Sequence, residues 1–572
     1  MFGEAPAVHT RCAEQRQPGS ITAVIDPALD AEYRAAGQWS DAGVYDYWRR
    51  MVETAPDQEA VVDAAGFRGT YAQIDDHASR LAGLLRDRGV GHADVVTVVM
   101  PNRAEFLIVY VACLKLGAII NPSLPQLRFS ELRDQVGRCH AAAMVIVTKF
   151  RSIDHAGDAQ RLALGCPALR AVVTMGDRAP GDGPFLDFAE AIDHAPLPED
   201  EVTPGGGNDV AVILFTSGSE AHPKGVLLTH NNILASERAF IDALTVADGV
   251  RMFMPAPVAH ATGFLHGITM PIMKGGAAIL LDAFDGPTAA RMMNQEGATG
   301  TMGSTTIITE LLDAAEAIGG LHHGVRRICC GGAPVPRQLV ERALKMGITV
   351  HSVYGATESA PHTTTRPGDS LDRVVKTDGC AVPGTQVRIV DPVTRQTLPP
   401  GAEGEEASRG PAVFSGYLND PERTEAVLDD DGWYYSGDLA VMDAEGYIRV
   451  TGRIKDTIVR GGENISAREV EELLLQHPAV RDVAVVGMPD QRLGECACAF
   501  VVLREGAEPL TLAGVRAFFC VLEVARFKTP ERVEIIEALP LTPTGKVRKV
   551  ELRERVAAAI AAEVAQEHNQ DA

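Results

Sequence analysis

Hydrophobic positions in the first two thirds of the chain follow two patterns. Between residues 71 and 88 they recur at helical spacing, which predicts an amphipathic helix with Ile74, Ala78, Leu81 and Leu85 on one face. Elsewhere they form short continuous runs, typical of strands that are buried on both faces. The predicted strands are Val95–Met100, Met144–Thr148, Ala171–Met175, Ala211–Phe215, Ala277–Leu281 and Arg327–Cys330. Strands that alternate with helices predict an α/β domain with largely parallel sheets.

The pattern changes after about residue 380, where short strands predict a twisted, β-rich subdomain. These strands are Gln386–Val390, Gly404–Arg409 and Gly446–Thr451. Beyond Arg453 a new unit begins, in which Ser466 and Glu469 form a capping box at the start of a helix. We expect an irregular extension over residues 1–40, a large α/β domain over 41–454 and a small α+β domain over 455–572.

Composition and charge narrow the function classes. With 46% hydrophobic and 23% charged residues, the chain is an ordinary globular protein that needs no disulfide framework. Its 53 basic and 76 acidic residues give a net charge of −23, which argues against nucleic-acid or anionic-lipid partners. The most apolar stretch, Phe106–Ile120, is too short to span a bilayer, and the N-terminus lacks a signal-peptide pattern. We therefore expect a cytoplasmic protein whose scattered cysteines stay reduced.

The segment from Val212 to Gly225 is the first candidate for chemistry. An apolar strand runs into a loop of hydroxyl and glycine residues that ends with Lys224. Backbone N–H groups of such loops bind phosphate oxygens, and the lysine adds a positive charge. The loop lacks the Gly-Lys-Ser/Thr sequence of a Walker A motif. Taken alone, it fits a phosphate site or a plain surface loop between two strands.

Five further motifs follow in order, and together with this loop they carry a family resemblance. They are Tyr354-Gly-Ala-Thr-Glu358, Tyr434-Tyr-Ser-Gly-Asp438, Gly452-Arg-Ile-Lys-Asp456, Arg460-Gly-Gly-Glu-Asn464 and Leu541-Thr-Pro-Thr-Gly-Lys546. Their order and spacing resemble the AMP-forming acyl-adenylate superfamily of acyl-CoA synthetases, adenylation domains and beetle luciferases, over residues 45–555. Details look most like the short- and medium-chain fatty-acyl-CoA synthetases. One departure is Ser219-Glu220-Ala221, where the broad superfamily has Thr-Thr-Gly.

The resemblance implies an ATP site with Mg²⁺. Lys224 would hold the β- and γ-phosphates, Thr357 would contact the α-phosphate, and Glu358 would ligate Mg²⁺ as a hard oxygen donor. Asp438 would accept hydrogen bonds from the ribose hydroxyls, with Arg453 close by. The other implied nucleotide contacts are Thr216, Ser217, Gly218, Ser219, Gly225, Gly331, Gly332, Ala333, Pro334, Tyr354 and Gly355.

The resemblance also implies a mobile small domain. Lys546 would bridge the substrate carboxylate and the α-phosphate and stabilise the charge that develops during adenylation. Lys455 would be the hinge about which the small domain rotates before thioester formation. Gly461, Gly462 and Asn464 would then face the pantetheine arm of CoA. For His260 two interpretations stay open, namely the junction of acyl pocket and thiol channel, or a structural core histidine.

The expected acid is apolar. Amino-acid-activating relatives carry an aspartate in the stretch that matches residues 260–267, whereas this chain has no carboxylate there. The small residues Ala261, Gly263 and Gly267 predict room for a fatty, alicyclic or aryl body, and Ser304 belongs to a stretch that would complete the wall of this pocket. The predicted reaction forms acyl-AMP and pyrophosphate and then transfers the acyl group to CoA. The alternatives are a ligase that loads an acyl carrier protein, a non-catalytic relative and a luciferase-like oxidase.

Overall fold

The computed structural model describes residues 21–176, 184–216, 223–460, 463–490, 493–522, 526–542 and 546–570. Within these residues, the first sheet of the large domain has nine strands. In spatial order they are Cys380–Ala381, Ala360–Thr364, Thr349–Ala356, Arg327–Gly331, Gly300–Ser304, Arg251–Met254, Ala277–Leu280, Glu59–Asp63 and Arg68–Thr70. The six central strands are parallel, and the outer strands are antiparallel to their neighbours.

The second sheet is parallel except for the hairpin at one edge. Its strands, in spatial order, are Lys224–Thr229, Val210–Thr216, Ile119–Ser123, Val95–Val99, Ala143–Val147, Ala171–Met175 and Phe185–Asp187. The helix Ala104–Leu116 is buried at every position but Glu105, and its Tyr110 ring packs 5.0 Å from that of Phe264. This arrangement confirms the predicted α/β class with largely parallel sheets.

Helices of the large domain follow the predicted apolar faces. The helix Tyr71–Asp87 begins at a capping box of Thr70 and Gln73 and buries the predicted stripe. The helices are Pro27–Ala35, Val44–Thr54, Tyr71–Asp87, Ala104–Leu116, Phe129–Arg138, His155–Gly165, Phe188–Ala191, His230–Leu244, Met270–Lys274, Gly286–Gln295, Thr305–Ala317, Arg337–Lys345, Leu371–Lys376 and Pro421–Val427. None of the helices that the structure describes has the length and apolarity to cross a bilayer.

The expected irregular extension is wrong for residues 21–40. The helix Pro27–Ala35 begins there, and the Asp26 carboxylate caps it by accepting from the backbone N–H of Ala28 at 2.7 Å. Trp39 is buried and donates its ring N–H to the carbonyl of Pro411 at 3.0 Å. The helix is too short for its periodicity to predict it, since it buries one side chain, Tyr33. Residues 1–20 lie outside the described part.

The β-rich subdomain and the small domain follow in sequence. The subdomain is the antiparallel sheet Gln386–Val390, Glu403–Arg409, Tyr434–Met442 and Ile448–Arg453. The small domain has the strands Thr457–Arg460, Glu463–Ser466, Val480–Asp490, Gly494–Leu503 and Arg532–Ile535 and the helices Ala467–Leu474, Leu512–Val521 and Lys549–Gln570. Ser466 caps the first helix, but Glu469 pairs with Lys528, so only half of the predicted capping box forms. The boundary near Lys455 stays a prediction; it falls in the 3₁₀ turn Ile454–Asp456.

Candidate active site

Three neighbouring strands bring distant segments to one edge of the nine-stranded sheet. Ser304 pairs with Gly331 and Gly331 pairs with Val353, so the carboxyl ends of these parallel strands lie side by side. This edge is where open α/β sheets bind ligands. A Cβ atom on Gly331 would lie 2.6 Å from the carbonyl oxygen of Val353, so only glycine fits there. Gly332 follows in the left-handed region, with φ of 80°.

The turn between Thr349–Ala356 and Ala360–Thr364 carries the predicted phosphate and metal contacts. Thr357 and Glu358 are buried in this turn, each about 9% exposed. Oε1 of Glu358 accepts a hydrogen bond from the Tyr417 hydroxyl at 2.7 Å, while Oε2 has no hydrogen-bond donor among the described residues. The Tyr417 hydroxyl therefore holds one oxygen of the carboxylate in place.

The predicted phosphate loop is closed by a hairpin. Thr216 pairs with Lys224 across the antiparallel strands, so the two ends of the loop meet. Ser217, Gly218 and Ser219 of the loop, together with Glu220 and Ala221, lie outside the described residues. Gly225 continues the second strand, and its carbonyl accepts from the N–H of Leu418 at 2.7 Å.

Tyr417 is a site residue that the sequence analysis missed. Its ring lies 4.9 Å from the ammonium of Lys224, and its hydroxyl binds Glu358. The chain brings it there by pairing the backbone around Gly416 with the strand Lys224–Thr229. Tyr417 thus connects the predicted phosphate lysine with the predicted Mg²⁺ ligand, a contact that no local motif encodes.

The predicted ribose contacts lie on paired strands. Asp438 stands opposite Arg453 in the antiparallel sheet, and Oδ1 of Asp438 lies 2.7 Å from Nε of Arg453. Oδ2 accepts a hydrogen bond from the Tyr354 hydroxyl at 2.8 Å. The charge of Asp438 raises the pKa of Arg453. Asp438 is 6% exposed as a residue, and it lines a cleft between the domains.

Both domains line this cleft. The large domain contributes Gly332, Ala333, Val353, Tyr354, Gly355, Asp378, Asp438, Val450, Gly452 and Arg453. The small domain contributes Asp456, Ser466, Ala467, Arg468, Glu471, Lys546 and Lys549. Lys546 is open to the cleft but crowded by protein, so desolvation and the charge of Arg453 lower its pKa, while Asp438 and Glu358 oppose that shift. The structure therefore places Lys546 at the same cleft as Asp438 and Arg453, and its catalytic role stays a prediction.

Contacts across the boundary hold the domains in this arrangement. Arg449 of the large domain lies 3.1 Å from Glu472 of the small domain, and the Ser466 hydroxyl donates to the carbonyl of Thr451 at 2.8 Å. Within the small domain, Lys549 pairs with Glu471 at 2.8 Å. Arg468, Glu471 and Lys549 line the cleft beside Lys546, and the sequence analysis did not include them.

His260 is near Lys546 and is uncharged. Burial, with the positive charge of Lys546, lowers the pKa of His260 to about 4. Its Nδ1 accepts from the backbone N–H of Thr262 at 3.3 Å, which leaves the proton on Nε2. The influence of Lys546 on His260 agrees with the site interpretation, and the role of His260 stays a prediction.

Other atoms of the protein fill the space beside Gly263 and Gly267, where the sequence predicted room for the acid. Residues Gly263–Thr269 form a π-helix. A Cβ atom on Gly263 would lie 2.1 Å from the carbonyl oxygen of Pro257, and one on Gly267 would lie 2.5 Å from Cγ of Met254. These glycines therefore allow close packing of the π-helix. Ala261 is buried, and Ser304 caps the helix Thr305–Ala317.

The remaining predicted residues are placed only in part. Lys455 lies in the 3₁₀ turn, where its carbonyl accepts from Arg553 at 3.4 Å. Asn464 pairs with Val459 in the first hairpin of the small domain. Gly461 and Gly462 lie outside the described residues. Pro334 follows Ala333 in the loop after the strand Arg327–Gly331.

The donor set fits Mg²⁺ supplied with a nucleotide. The described residues contain no group of three or more carboxylate, histidine or cysteine side chains that would form a complete protein cage. Mg²⁺ in nucleotide sites typically takes one or two carboxylates and completes its octahedron with phosphates and water. Glu358, with one oxygen fixed by Tyr417, is suited to be that carboxylate.

Family comparisons agree with this geometry. The family described as AMP-binding enzyme matches residues 48–418, and its C-terminal domain family matches residues 469–546. The medium-chain fatty-acid–CoA ligase of Escherichia coli strain K12 is 42% identical over 548 residues, which are 96% of each chain. A feruloyl-CoA synthase of an Amycolatopsis species is 34% identical over 85% of this chain and 94% of its own.

A solved structure supports the same assignment. ATP-bound MatB from Rhodopseudomonas palustris superposes with a TM-score of 0.79 at 29% identity, covering 90% of this chain and 99% of MatB. The family matches include the phosphate loop, the Glu358 turn and Lys546, and the structural match covers both domains. The chain belongs to the family of AMP-binding enzymes.

Proposed function

We propose that this AMP-forming acyl-CoA synthetase acts on medium-chain fatty acids, with Mg²⁺ bound through Glu358. The observation that carries the mechanism is the shared cleft, in which Tyr354, Asp438 and Arg453 of one domain face Lys546 of the other. The acid class is supported by the 42% identity to the medium-chain ligase and by the absence of a carboxylate in residues 260–267.

The first half-reaction follows from the charges around the cleft. A carboxylate oxygen of the acid attacks the α-phosphorus of ATP, and the bond to pyrophosphate breaks, giving acyl-AMP. Negative charge that builds up between the carboxylate and the α-phosphate is stabilised by the ammonium of Lys546. Asp438 holds the ribose as acceptor, and Lys224 binds the departing phosphates. Mg²⁺ supplies charge neutralisation to those phosphates.

The second half-reaction transfers the acyl group to CoA. The CoA thiol loses its proton to solvent, and the thiolate attacks the acyl carbonyl; the bond to AMP breaks, and AMP leaves as the phosphate anion. The small domain rotates about Lys455 so that Gly461, Gly462 and Asn464 replace Lys546 beside the adenylate. His260, which is neutral at physiological pH because its pKa is about 4, lies near the reacting carbonyl without adding a charge that would repel Lys546.

A substrate panel tests this proposal. Purified protein with ATP and Mg²⁺ is expected to release pyrophosphate with C6 to C12 fatty acids, and to form the thioester when CoA is added. Benzoate, salicylate, ferulate and several amino acids serve as competing classes. Faster release with ferulate than with any fatty acid would reassign the substrate. Release that CoA does not accelerate, together with loading of a phosphopantetheinyl carrier protein, would show the carrier-protein ligase instead.

Tyr417→Phe is expected to raise the Mg²⁺ concentration needed for adenylation. The substitution removes the hydrogen bond that orients Glu358 but keeps the ring over Lys224. A hydrogen bond to a charged group is worth about 1.5–3 kcal/mol, so we expect the half-saturating Mg²⁺ concentration to rise about 10-fold. Pyrophosphate release is measured at increasing Mg²⁺ with saturating ATP. A loss of rate that Mg²⁺ does not restore would contradict this role.

A further inference from the structure

A buried ion pair lies directly behind the nucleotide wall of the cleft. Nε2 of His362 is 3.1 Å from Oε1 of Glu406, and the side chains are 2% and 0% exposed. The strand Glu403–Arg409 shifts register between Glu405 and Ala407, and such a bulge re-aims side chains. Glu406 consequently points into the protein, toward the residues that line the cleft.

The hydrogen-bond partners of His362 indicate that both of its ring nitrogens carry a proton. Nδ1 of His362 lies 3.1 Å from the carbonyl oxygen of Ala360, which only accepts hydrogen bonds, so Nδ1 carries a proton. Nε2 faces a carboxylate, and a hydrogen bond there requires a second proton. Burial lowers the pKa of His362, but the charge and hydrogen bond of Glu406, with the Ala360 carbonyl and the charge of Asp438, together raise it above its ordinary value. His362 is therefore an imidazolium paired with a carboxylate.

One hydroxyl joins the pair to the predicted ribose acceptor. The Tyr354 hydroxyl lies 2.8 Å from Oδ2 of Asp438 and 3.3 Å from Oε2 of Glu406. It has a single proton for two carboxylates. His362 compensates the charge of Glu406, and Arg453 compensates that of Asp438. With both charges compensated, the Tyr354 proton stays in the shorter bond to Asp438.

We propose that His362 and Glu406 are positioning residues that hold the Tyr354 hydroxyl against Asp438 and so fix the carboxylate for the nucleotide ribose. This inference rests on the proposed function, because it takes Asp438 as the ribose acceptor. The pair touches no substrate itself. It acts through Tyr354, and it leaves Asp438 as the carboxylate that is turned toward the cleft.

Binding of AMP tests the proposal without acid or CoA. By titration calorimetry, His362→Gln is expected to weaken AMP binding about 10-fold, because uncompensated Glu406 then competes for the Tyr354 proton. Glu406→Gln removes that carboxylate and is expected to weaken binding less. The double variant H362Q/E406Q is expected to recover to within about 3-fold of the wild type, since a neutral pair needs no compensation. A double variant as weak as H362Q would overturn the proposal.

The pH dependence gives a second readout. Because the pKa of His362 is raised, its charge is present at low and neutral pH and is lost as pH rises through that value. The AMP affinity of the wild type is expected to fall as pH rises through the pKa of His362. The double variant has no His362, so its affinity is expected to lack this decrease. The groups that face His362 are Glu406, Asp438 and Tyr354. Lys546 also titrates in the cleft but is common to both proteins, so identical profiles would contradict the proposal.

A matched control isolates the position of the pair. His266 lies 3.2 Å from Glu237 in an equally buried pair, but it packs against Phe240, 4.5 Å between ring centres, and not against Tyr354. His266→Gln is expected to leave AMP affinity unchanged, and thermal unfolding of every variant reports on folding. Wild-type protein that fails to bind AMP would reject the proposed function. Equal AMP binding by wild type and H362Q would reject only the positioning role.

Discussion

Lys546→Ala is expected to abolish formation of acyl-AMP while sparing thioester formation from supplied acyl-AMP. The ammonium of Lys546 faces the cleft within electrostatic reach of Arg453, Asp438 and Glu358, where charge develops during attack on the α-phosphorus. Loss of one such stabilising group costs on the order of 100-fold or more in rate. Pyrophosphate exchange measures the first half-reaction, and CoA-dependent release of AMP from synthetic acyl-AMP measures the second.

Two further variants complete this experiment. Lys528→Ala removes a lysine of the same domain that pairs with Glu469 at 2.6 Å, and both half-reactions are expected to stay within about twofold of wild type. Gly462→Leu is expected to give the reverse of Lys546→Ala, because a side chain there would block the pantetheine path. If Lys546→Ala and Gly462→Leu lose both half-reactions equally, domain rotation does not separate the two steps.

Asp438→Asn is expected to lower kcat/KM for ATP by about 100-fold, since it weakens a charge-assisted contact to each ribose hydroxyl. Oδ2 of the carboxylate accepts a hydrogen bond from the Tyr354 hydroxyl at 2.8 Å, and Oδ1 lies 2.7 Å from Nε of Arg453 as an ion pair without hydrogen-bond geometry. Asparagine keeps the shape of the Asp438 side chain but removes its charge, so the fall in kcat/KM measures what the charged acceptor contributes to ribose binding.

A nucleotide without ribose hydroxyls supplies the control for Asp438. With 2′,3′-dideoxy-ATP in place of ATP, kcat/KM of the wild type is expected to fall by about the same factor as the Asp438→Asn substitution causes with ATP. In the Asp438→Asn variant, the same change of nucleotide is expected to lower kcat/KM only slightly further. If the ratio of kcat/KM for ATP to that for dideoxy-ATP is the same in the wild type and in Asp438→Asn, the ribose hydroxyls bind a residue other than Asp438. Circular dichroism checks that the unpaired Arg453 does not disturb the sheet.

Sequence motifs predicted the parts of the site that lie on single segments. The structure buries Thr357 and Glu358 in one turn, pairs Asp438 with Arg453 and places Lys546 at the cleft, while the roles of these residues stay predictions. The long apolar elements were predictable for the same reason, because a helix such as Ala104–Leu116 is specified by its own residues.

Contacts between distant segments were not predictable from one sequence. Tyr417 reaches Glu358 across 59 positions, and His362 reaches Glu406 across 44. Neither tyrosine nor histidine had a local pattern that distinguished it from an ordinary core residue. The prediction from Gly263 and Gly267 was wrong for a different reason. Gly263 is small because the carbonyl of Pro257 approaches it, and a missing side chain does not reveal whether a substrate or the chain itself fills the space.

The residues proposed for the nucleotide side and those expected on the acid side belong to different kinds of structure. Asp438 and Arg453 belong to paired strands, where any change also disturbs the ladder of the sheet. The expected acid side follows the strand Arg251–Met254 through a loop into the π-helix Gly263–Thr269, which has no strand partner to preserve. Substitutions in the π-helix would therefore change the expected acid side without disturbing these paired strands. A fatty-acid–CoA ligase and a feruloyl-CoA synthase are both similar in sequence to this chain over most of its length, which fits such a separation.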